Sequence, residues 1–233
     1  MKRLSLLLLL LASLGLTFAQ DAFEGTLIYS AKYTGDKQLV AKVGQSMPDT
    51  MELQFKDGKS FFEMRGGMSA MLMNRMYAES RGGNLYLIAT AQNMNYKFTP
   101  ASQKAAWENP KNEAAVVVRG ENDQKLGGYS CKHYLIIQDT RRGRDTMDVW
   151  VAPQVKVDFP NTNDLTGSGL FSVSQYGIKG FPMKVVHPMP VPGKTIYINL
   201  EIAEVKKNET EDNRLMLPPG YQEKPYNMVP PKR

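Results

Sequence analysis

Apolar and polar residues alternate along most of the chain, which is the pattern of β-strands with one buried and one solvated face. The alternation runs through residues 23–33, 51–55, 94–98, 147–151 and 196–202. Between two apolar segments, Asp57-Gly58 predicts a β-hairpin turn. One wet face per strand favours an antiparallel sheet over a parallel sheet covered on both sides.

Helical patterns are scarce. Residues 101–107 predict a short helix after Pro100, and residues 161–176 predict an irregular helix or a lid-like loop. The methionine spacing in residues 68–76 fits either a helix or a strand, and the flanking glycine pairs favour a strand. We therefore predict a mainly β fold, a curved antiparallel sheet with one or two short helices, in a single domain over residues 20–224.

About ten predicted strands each present an apolar face, and the few helical segments cannot cover them all. Leaving that surface in water costs about 25 cal/mol per Å². The sheet can close into a barrel, split into a sandwich, or form a half-barrel whose concavity takes an apolar ligand. On strand parity, such a cavity is lined by Leu27, Tyr29, Leu53, Phe55, Phe62, Met64, Met94, Tyr96 and Phe98, which could equally form an ordinary core.

Residues 1–19 have the features of a cleaved export signal. Lys2 and Arg3 precede the apolar residues 4–16, and residues 17–19 end in a small-x-small pattern. This predicts an exported, soluble protein, periplasmic or extracellular. No transmembrane span is expected in the mature chain, because no other long apolar stretch follows. Residues 225–233 are expected to form a flexible tail.

Composition argues against most familiar hydrolases and metalloenzymes. The 233 residues include one Cys and two His, with 29 Lys+Arg against 23 Asp+Glu. A single thiol excludes a disulfide within the chain and a multi-cysteine zinc site. Two histidines leave little material for a histidine metal centre or a catalytic triad, so we expect no enzyme, no catalytic residue, no metal and no cofactor. Scattered basic residues without interleaved aromatics argue against nucleic-acid binding.

Three features have both a chemical and a structural interpretation. Met64, Met68, Met71, Met73 and Met76 supply soft ligands for Cu(I), but methionine also fills irregular cores and lines adaptable apolar surfaces. Cys131 and His133 could share a metal or act as nucleophile and base, although their strand face has the composition of a core. For Trp150 we expect burial with its indole N–H satisfied.

Four ordered segments resemble a known family: Gly127-Gly128-Tyr129-Ser130-Cys131-Lys132-His133-Tyr134, Val149-Trp150-Val151, Gly180-Phe181-Pro182-Met183-Lys184 and Leu217-Pro218-Pro219-Gly220-Tyr221. Their order resembles the DUF4412 family of exported bacterial proteins, which is itself similar to the LolA/LolB/LppX-like superfamily. That resemblance implies a curved half-barrel with helices plugging its open side, and carriage of lipids or lipoproteins. It implies no catalytic residues.

The sequence therefore predicts an exported protein that binds a lipid-like or other apolar ligand, as a periplasmic carrier. Its expected partner is that apolar molecule, or an envelope protein under a second interpretation. In that interpretation the core is fully packed and the protein is an interaction or structural module of the cell envelope. In the third, the methionine cluster binds copper.

Overall fold

Thirteen strands form one large, curved, unclosed sheet over the part of the chain that the computed structural model describes. That part comprises residues 22–68, 75–79, 81–99, 115–140, 143–157, 170–171, 173–191 and 193–225. The strands are β1 (Gly25–Gly35), β2 (Thr50–Lys56), β3 (Lys59–Arg65), β4 (Arg75–Glu79), β5 (Leu85–Ala89), β6 (Met94–Phe98), β7 (Val116–Arg119), β8 (Gln124–Leu126), β9 (Tyr129–Thr140), β10 (Gly143–Ala152), β11 (Phe181–Val191), β12 (Lys194–Lys207) and β13 (Gln222–Pro225). The predicted mainly β fold is confirmed.

The strand order is β13-β6-β5-β4-β3-β2-β1-β12-β11-β10-β9-β7, and β8 pairs with β9 beside this path. All the pairings are antiparallel except that of β13 with β6. Two meanders, β1–β6 and β9–β12, are thus joined where β1 pairs with β12. Because β1 lies mid-sheet, the first and twelfth strands both have neighbours on two sides.

The Asp57-Gly58 hairpin is confirmed. Both residues have positive φ, 51° and 70°, as a two-residue turn of type I′ requires. The pairing of Lys56 with Lys59 closes β2 onto β3. This turn sets the register that places Leu53 opposite Phe62.

Among the described residues there is one α-helix, α1 (Lys37–Gly44), together with two 3₁₀ turns, Thr90–Gln92 and Val173–Tyr176. The α1 helix was not predicted from the sequence. Asp36 caps it, since its Oδ1 accepts the Leu39 N–H at 2.9 Å. The helix predicted over 101–107 lies outside the described residues, as does most of the irregular segment over 161–176. The flexible tail was predicted over 225–233; Pro225 ends β13, and the rest of that range lies outside the described residues.

The main core lies on one side of the sheet, which we call the core face; it carries Leu27, Leu53 and Phe62. A segment between β10 and β11 packs over it through Leu170, Phe171, Val173 and Ile178, all of which are buried. The Phe171 ring stacks on Phe181 at 5.9 Å between centroids. This segment supplies part of the cover that the strand count had shown to be lacking.

The opposite side of β2–β5, which we call the strap face, is covered by the chain between β12 and β13. This strap, residues 209–221, brings Leu215 onto a second cluster, and Leu217 and Tyr221 pack against it. The cluster's sheet residues are Phe61, Tyr77, Tyr86 and Ile88. The sheet is therefore buried on both sides over part of its width, although alternation alone had indicated one wet face per strand.

Candidate functional site

All nine residues predicted to line a cavity lie on the core face. One row crosses six strands through directly paired residues: Leu27, Leu53, Phe62, Met76, Leu87 and Tyr96. Tyr29 and Phe55 share parity with Leu27 and Leu53, Met64 with Phe62, and Met94 and Phe98 with Tyr96. Strand parity therefore identified one continuous surface.

The centre of this surface is packed by the protein's own side chains. Leu27, Tyr29, Leu53, Phe55 and Phe62 are each at most 3% exposed and belong to the main core. Phe171 completes the packing, with ring centroids 5.3 Å from Tyr29 and 6.3 Å from Phe62.

The hydroxyl of Tyr29, at the centre of this surface, has a hydrogen-bond partner within the protein. The Tyr29 hydroxyl donates to the Pro182 carbonyl oxygen at 2.7 Å. Burial holds the pKa of this phenol well above its usual value, with a smaller contribution from Cys131. The centre thus has the character of a filled core and offers a ligand no accessible surface.

Toward β6 the same face becomes accessible. Met64, Met76, Leu87, Met94 and Tyr96 are half-buried, and we call this set the methionine margin. Met76 packs against both the main core and a smaller cluster of Ala78, Leu85 and Phe98. Three of the nine predicted lining residues, Met64, Met94 and Tyr96, belong to the margin. Met76 and Leu87 were missed, although Leu87 shares its strand with the apolar Leu85 and could have been found from alternation.

The margin combines adaptable side chains with one polar anchor. Tyr96 donates its hydroxyl hydrogen toward Gln92 Oε1 at 2.8 Å, with Met94 Sδ at 3.3 Å. Methionine side chains are unbranched and polarisable, so they adjust to apolar partners of different shape. The surface is chemically suited to an apolar body and has no charged side chain among its five members.

The methionine cluster considered for copper is only partly described. Met64, Met68 and Met76 lie in the described residues, whereas Met71 and Met73 do not. Met68 is 67% exposed. Within the described ranges, no three His, Cys, Asp or Glu side chains are grouped as metal ligands would be.

Three of the four family-like segments contribute to one row of side chains across four strands. His133, Trp150, Lys184 and Glu201 are directly paired neighbours on β9, β10, β11 and β12. The His133 ring stacks on Trp150 at 4.3 Å between centroids with planes 13° apart. Lys184 Nζ lies 5.1 Å from the Trp150 ring centroid and 2.8 Å from a Glu201 carboxylate oxygen.

The contacts of this row indicate a structural role. Trp150 is 7% exposed and its indole N–H donates to the Asn122 carbonyl oxygen at 2.7 Å, which confirms the expected burial. His133 Nε2 lies 3.0 Å from Asp148 Oδ1. The rings of His133 and Trp150 stack on each other, so these faces are not free for a ligand. The side-chain contacts of the row stabilise the register of the four strands β9–β12.

Cys131 is 1% exposed, as its structural interpretation expected. Burial raises the pKa of its thiol, which lowers the fraction of reactive thiolate. Its Sγ lies 3.5 Å from the Tyr129 carbonyl oxygen, while His133 is engaged with Trp150 and Asp148. The contacts of the two residues therefore differ from those of a nucleophile–base pair.

No helix within the described ranges combines the length and apolar character needed for a membrane crossing. Among protein families, the model described as a domain of unknown function (DUF4412) matches residues 37–221. That span contains the methionine margin, the His133–Trp150 row and the strap. No curated protein matches the sequence.

Proposed function

The chain belongs to the DUF4412 family, whose description assigns no activity, and we propose from the site itself that the protein binds an apolar, lipid-like ligand at the methionine margin. The observation that carries this proposal is the half-buried apolar surface of Met64, Met76, Leu87, Met94 and Tyr96, contiguous with the core. Recognition would depend on burial and shape more than on polar contacts.

Burial provides the driving force. Apolar surface removed from water contributes about 25 cal/mol per Å² to the free energy of binding. A ligand that covers the five half-buried side chains obtains this contribution without opening the packed centre. Tyr96 stands at the edge of this surface with its hydroxyl already hydrogen-bonded, which leaves the ring to contact the ligand. The thioethers of Met64, Met76 and Met94 allow chains of different shape to be accommodated.

The signal-like pattern of residues 1–19 supports a location for this binding outside the cytoplasm, in the periplasm or beyond the cell. An exported protein with an accessible apolar surface is suited to carry a ligand that water dissolves poorly. We therefore propose a carrier, with no catalytic step.

A second function is favoured by one observation at the far edge of the sheet. In β7, Val116, Val117 and Val118 are 58%, 37% and 41% exposed, and the strand pairs on one side with β9. Exposed valines on an edge strand are a common site for pairing with a strand of another protein. This is the surface that an interaction module of the cell envelope would use.

The test measures binding of the uncharged fluorophore phenylnaphthylamine to three proteins: wild type, Met94→Asp and Met216→Asp. Met216 lies on the strap and is 52% exposed, so Met216→Asp introduces the same chemical change away from the margin. We expect Met94→Asp to weaken binding at least tenfold, because a carboxylate opposes apolar burial, and Met216→Asp to leave it unchanged.

Native mass spectrometry of the protein isolated from its own cells identifies the occupant. Co-purified lipid supports the proposal. Ligand-free protein that captures an envelope protein through β7 supports the second function, and bound copper supports the methionine-site interpretation. Equal phenylnaphthylamine binding by both variants, with unchanged melting temperatures, would exclude the margin as the site.

A further inference from the structure

A cavity of about 720 Å³ lies at the end of the sheet where β1 begins and β12 ends. Small-molecule sites typically measure about 300–1,000 Å³, so its size is in that range. Its lining consists of Ala22, Phe23, Glu24, Tyr129, Gln154, Lys207 and Asn208. It shares no lining residue with the methionine margin.

The inner wall of the cavity is aromatic. Phe23 is 7% exposed, belongs to the main core and packs edge-on against Phe55 at 6.3 Å between centroids. Tyr129 is half-buried against the same core. An apolar group entering the cavity would therefore contact two aromatic side chains that the core holds in place.

The walls are fixed by the backbone. The Asn208 N–H donates to the Glu24 carbonyl oxygen at 2.9 Å, and Gly25 pairs directly with Lys207. Gly25 has φ of +138°, and a Cβ there would lie 2.2 Å from the Lys206 carbonyl oxygen. Only glycine permits this close approach of β1 to β12, so the pairing of these two strands holds this wall of the cavity in place.

The two charged side chains of the cavity lining, Glu24 and Lys207, differ in whether they have a partner within the protein. Glu24 Oε1 accepts the Asp57 N–H at 3.0 Å, outside the cavity lining. Lys207 forms no ion pair with a described residue, whereas its neighbour Lys206 lies 3.6 Å from Glu204. Among the described lining residues, the ammonium of Lys207 is thus the positive charge available to a ligand, beside the amide side chain of Asn208.

We propose that this cavity binds a small amphipathic anion, with its apolar part against Phe23 and Tyr129 and its acidic group on Lys207. The acidic group belongs to the class of carboxylate, sulfonate or phosphate. The site is additional to the methionine margin, since an uncharged apolar ligand would gain nothing from Lys207.

Two fluorophores with the same aromatic body separate the two sites: anilinonaphthalene sulfonate, which is anionic, and phenylnaphthylamine, which is uncharged. Binding of each is titrated on wild type, Lys207→Gln and Lys206→Gln, with folding checked by circular dichroism. We expect Lys207→Gln to weaken sulfonate binding about tenfold, as loss of a charge-assisted contact does, and Lys206→Gln to leave it unchanged. Phenylnaphthylamine binding should be unchanged in both variants.

The proposal is overturned if both lysine variants weaken sulfonate binding equally, since that indicates diffuse surface charge, or if neither does. It is also overturned if Met94→Asp abolishes sulfonate binding while Lys207→Gln does not. A measurement on the wild type needs no variant: the ring resonances of Phe23 and Tyr129 should shift on adding the sulfonate. Shifts confined to the Met76 and Met94 methyl groups would place the probe in the margin and refute this site.

Discussion

Glu52 and Glu63 face each other directly across β2 and β3, and both are only 4% exposed. Arg214 of the strap contacts both, at 3.1 Å from Glu52 Oε1 and 3.3 Å from Glu63 Oε2. Arg65 contacts both as well, and Arg75 reaches Glu63 at 2.7 Å. Two neighbouring buried carboxylates are thus neutralised by three arginines, one of which holds the strap on the sheet.

Replacing Arg214 with Met should lower the free energy of unfolding by about 2 kcal/mol, because two buried carboxylates lose a charged partner while Arg65 and Arg75 remain. Urea unfolding measures this. The matched control is Lys56→Met, which removes the exposed Lys56–Asp212 pair between the sheet and the same strap. There we expect less than about 1 kcal/mol, and equal losses in the two variants would contradict a special role for the buried pair.

Acid should weaken the same network. Burial by itself raises the pKa of Glu63, but hydrogen bonds from Arg75 and Arg65 outweigh it, and the net shift is downward. A carboxyl with a lowered folded-state pKa contributes stability above its unfolded pKa of about 4.3 and loses that contribution as pH falls through the folded value. The stability difference between wild type and Glu63→Gln should therefore shrink below about pH 4, and a constant difference from pH 7 to 3 would contradict this.

His187 should cause a separate loss of stability at milder acidity. Burial lowers the pKa of its imidazole, and Asp145 opposes this only in part. Its Nδ1 is buried without a hydrogen-bond partner among the described residues. Since the unfolded chain takes up the proton more readily, stability is complete above about pH 6.5 and declines as pH falls below it. His187→Gln should remove this part of the pH dependence, and Asp145→Asn should enlarge it, as measured by urea unfolding between pH 7.5 and about 5.

Two aspartate substitutions on the core face should differ in kind. Phe55 packs edge-on against Phe23 and Phe181 and is 3% exposed, so Phe55→Asp should cost more than about 4 kcal/mol and prevent folding. Tyr96 is half-buried, so Tyr96→Asp should fold and lose phenylnaphthylamine binding. Thermal melts and fluorescence titration distinguish them. A stably folded Phe55→Asp protein would show that the centre of the core face is not packed as described.

Gly120→Ala tests the packing around His133. A Cβ at this position would lie 2.0 Å from His133 Nδ1, and Gly120 is not among the residues with positive φ. The expected loss of about 1–3 kcal/mol is therefore steric. Adding His133→Ala should recover part of it, giving a double-mutant coupling above about 1 kcal/mol. Strictly additive losses would mean that the backbone moves away from the imidazole at little cost.

Alternation was sufficient to predict the core face, because a strand with one buried side repeats every two residues. Leu27, Leu53 and Phe62 were placed on one surface by parity, and direct pairing puts them there. Parity does not indicate which part of that surface is covered by other side chains of the protein. Phe171 packs on the centre from a segment with no regular period, and nothing local to Met64 or Phe62 indicates that one stays accessible and the other does not.

Alternation failed on the strap face for a related physical reason. Glu52 and Gln54 occupy polar positions typical of a solvated side, yet they are 4% and 1% exposed. Their partners are distant in sequence: Arg214 for Glu52, and the Glu211 N–H for Gln54 Oε1 at 3.0 Å. A polar side chain is buried when such partners satisfy it, and no single-strand pattern contains that information. The helix α1 was missed although Asp36 stands at its start as an ordinary N-cap.

The position of the strap after the strands it covers sets an order for assembly. Strands β2–β5 are all synthesised more than a hundred residues before Leu215, and β1 gains its second neighbour only when β12 has been made. During that interval the rings of Phe61, Tyr77 and Tyr86 are not covered by the strap, so the nascent meander is exposed to aggregation until residues 209–221 have been made and pack onto it.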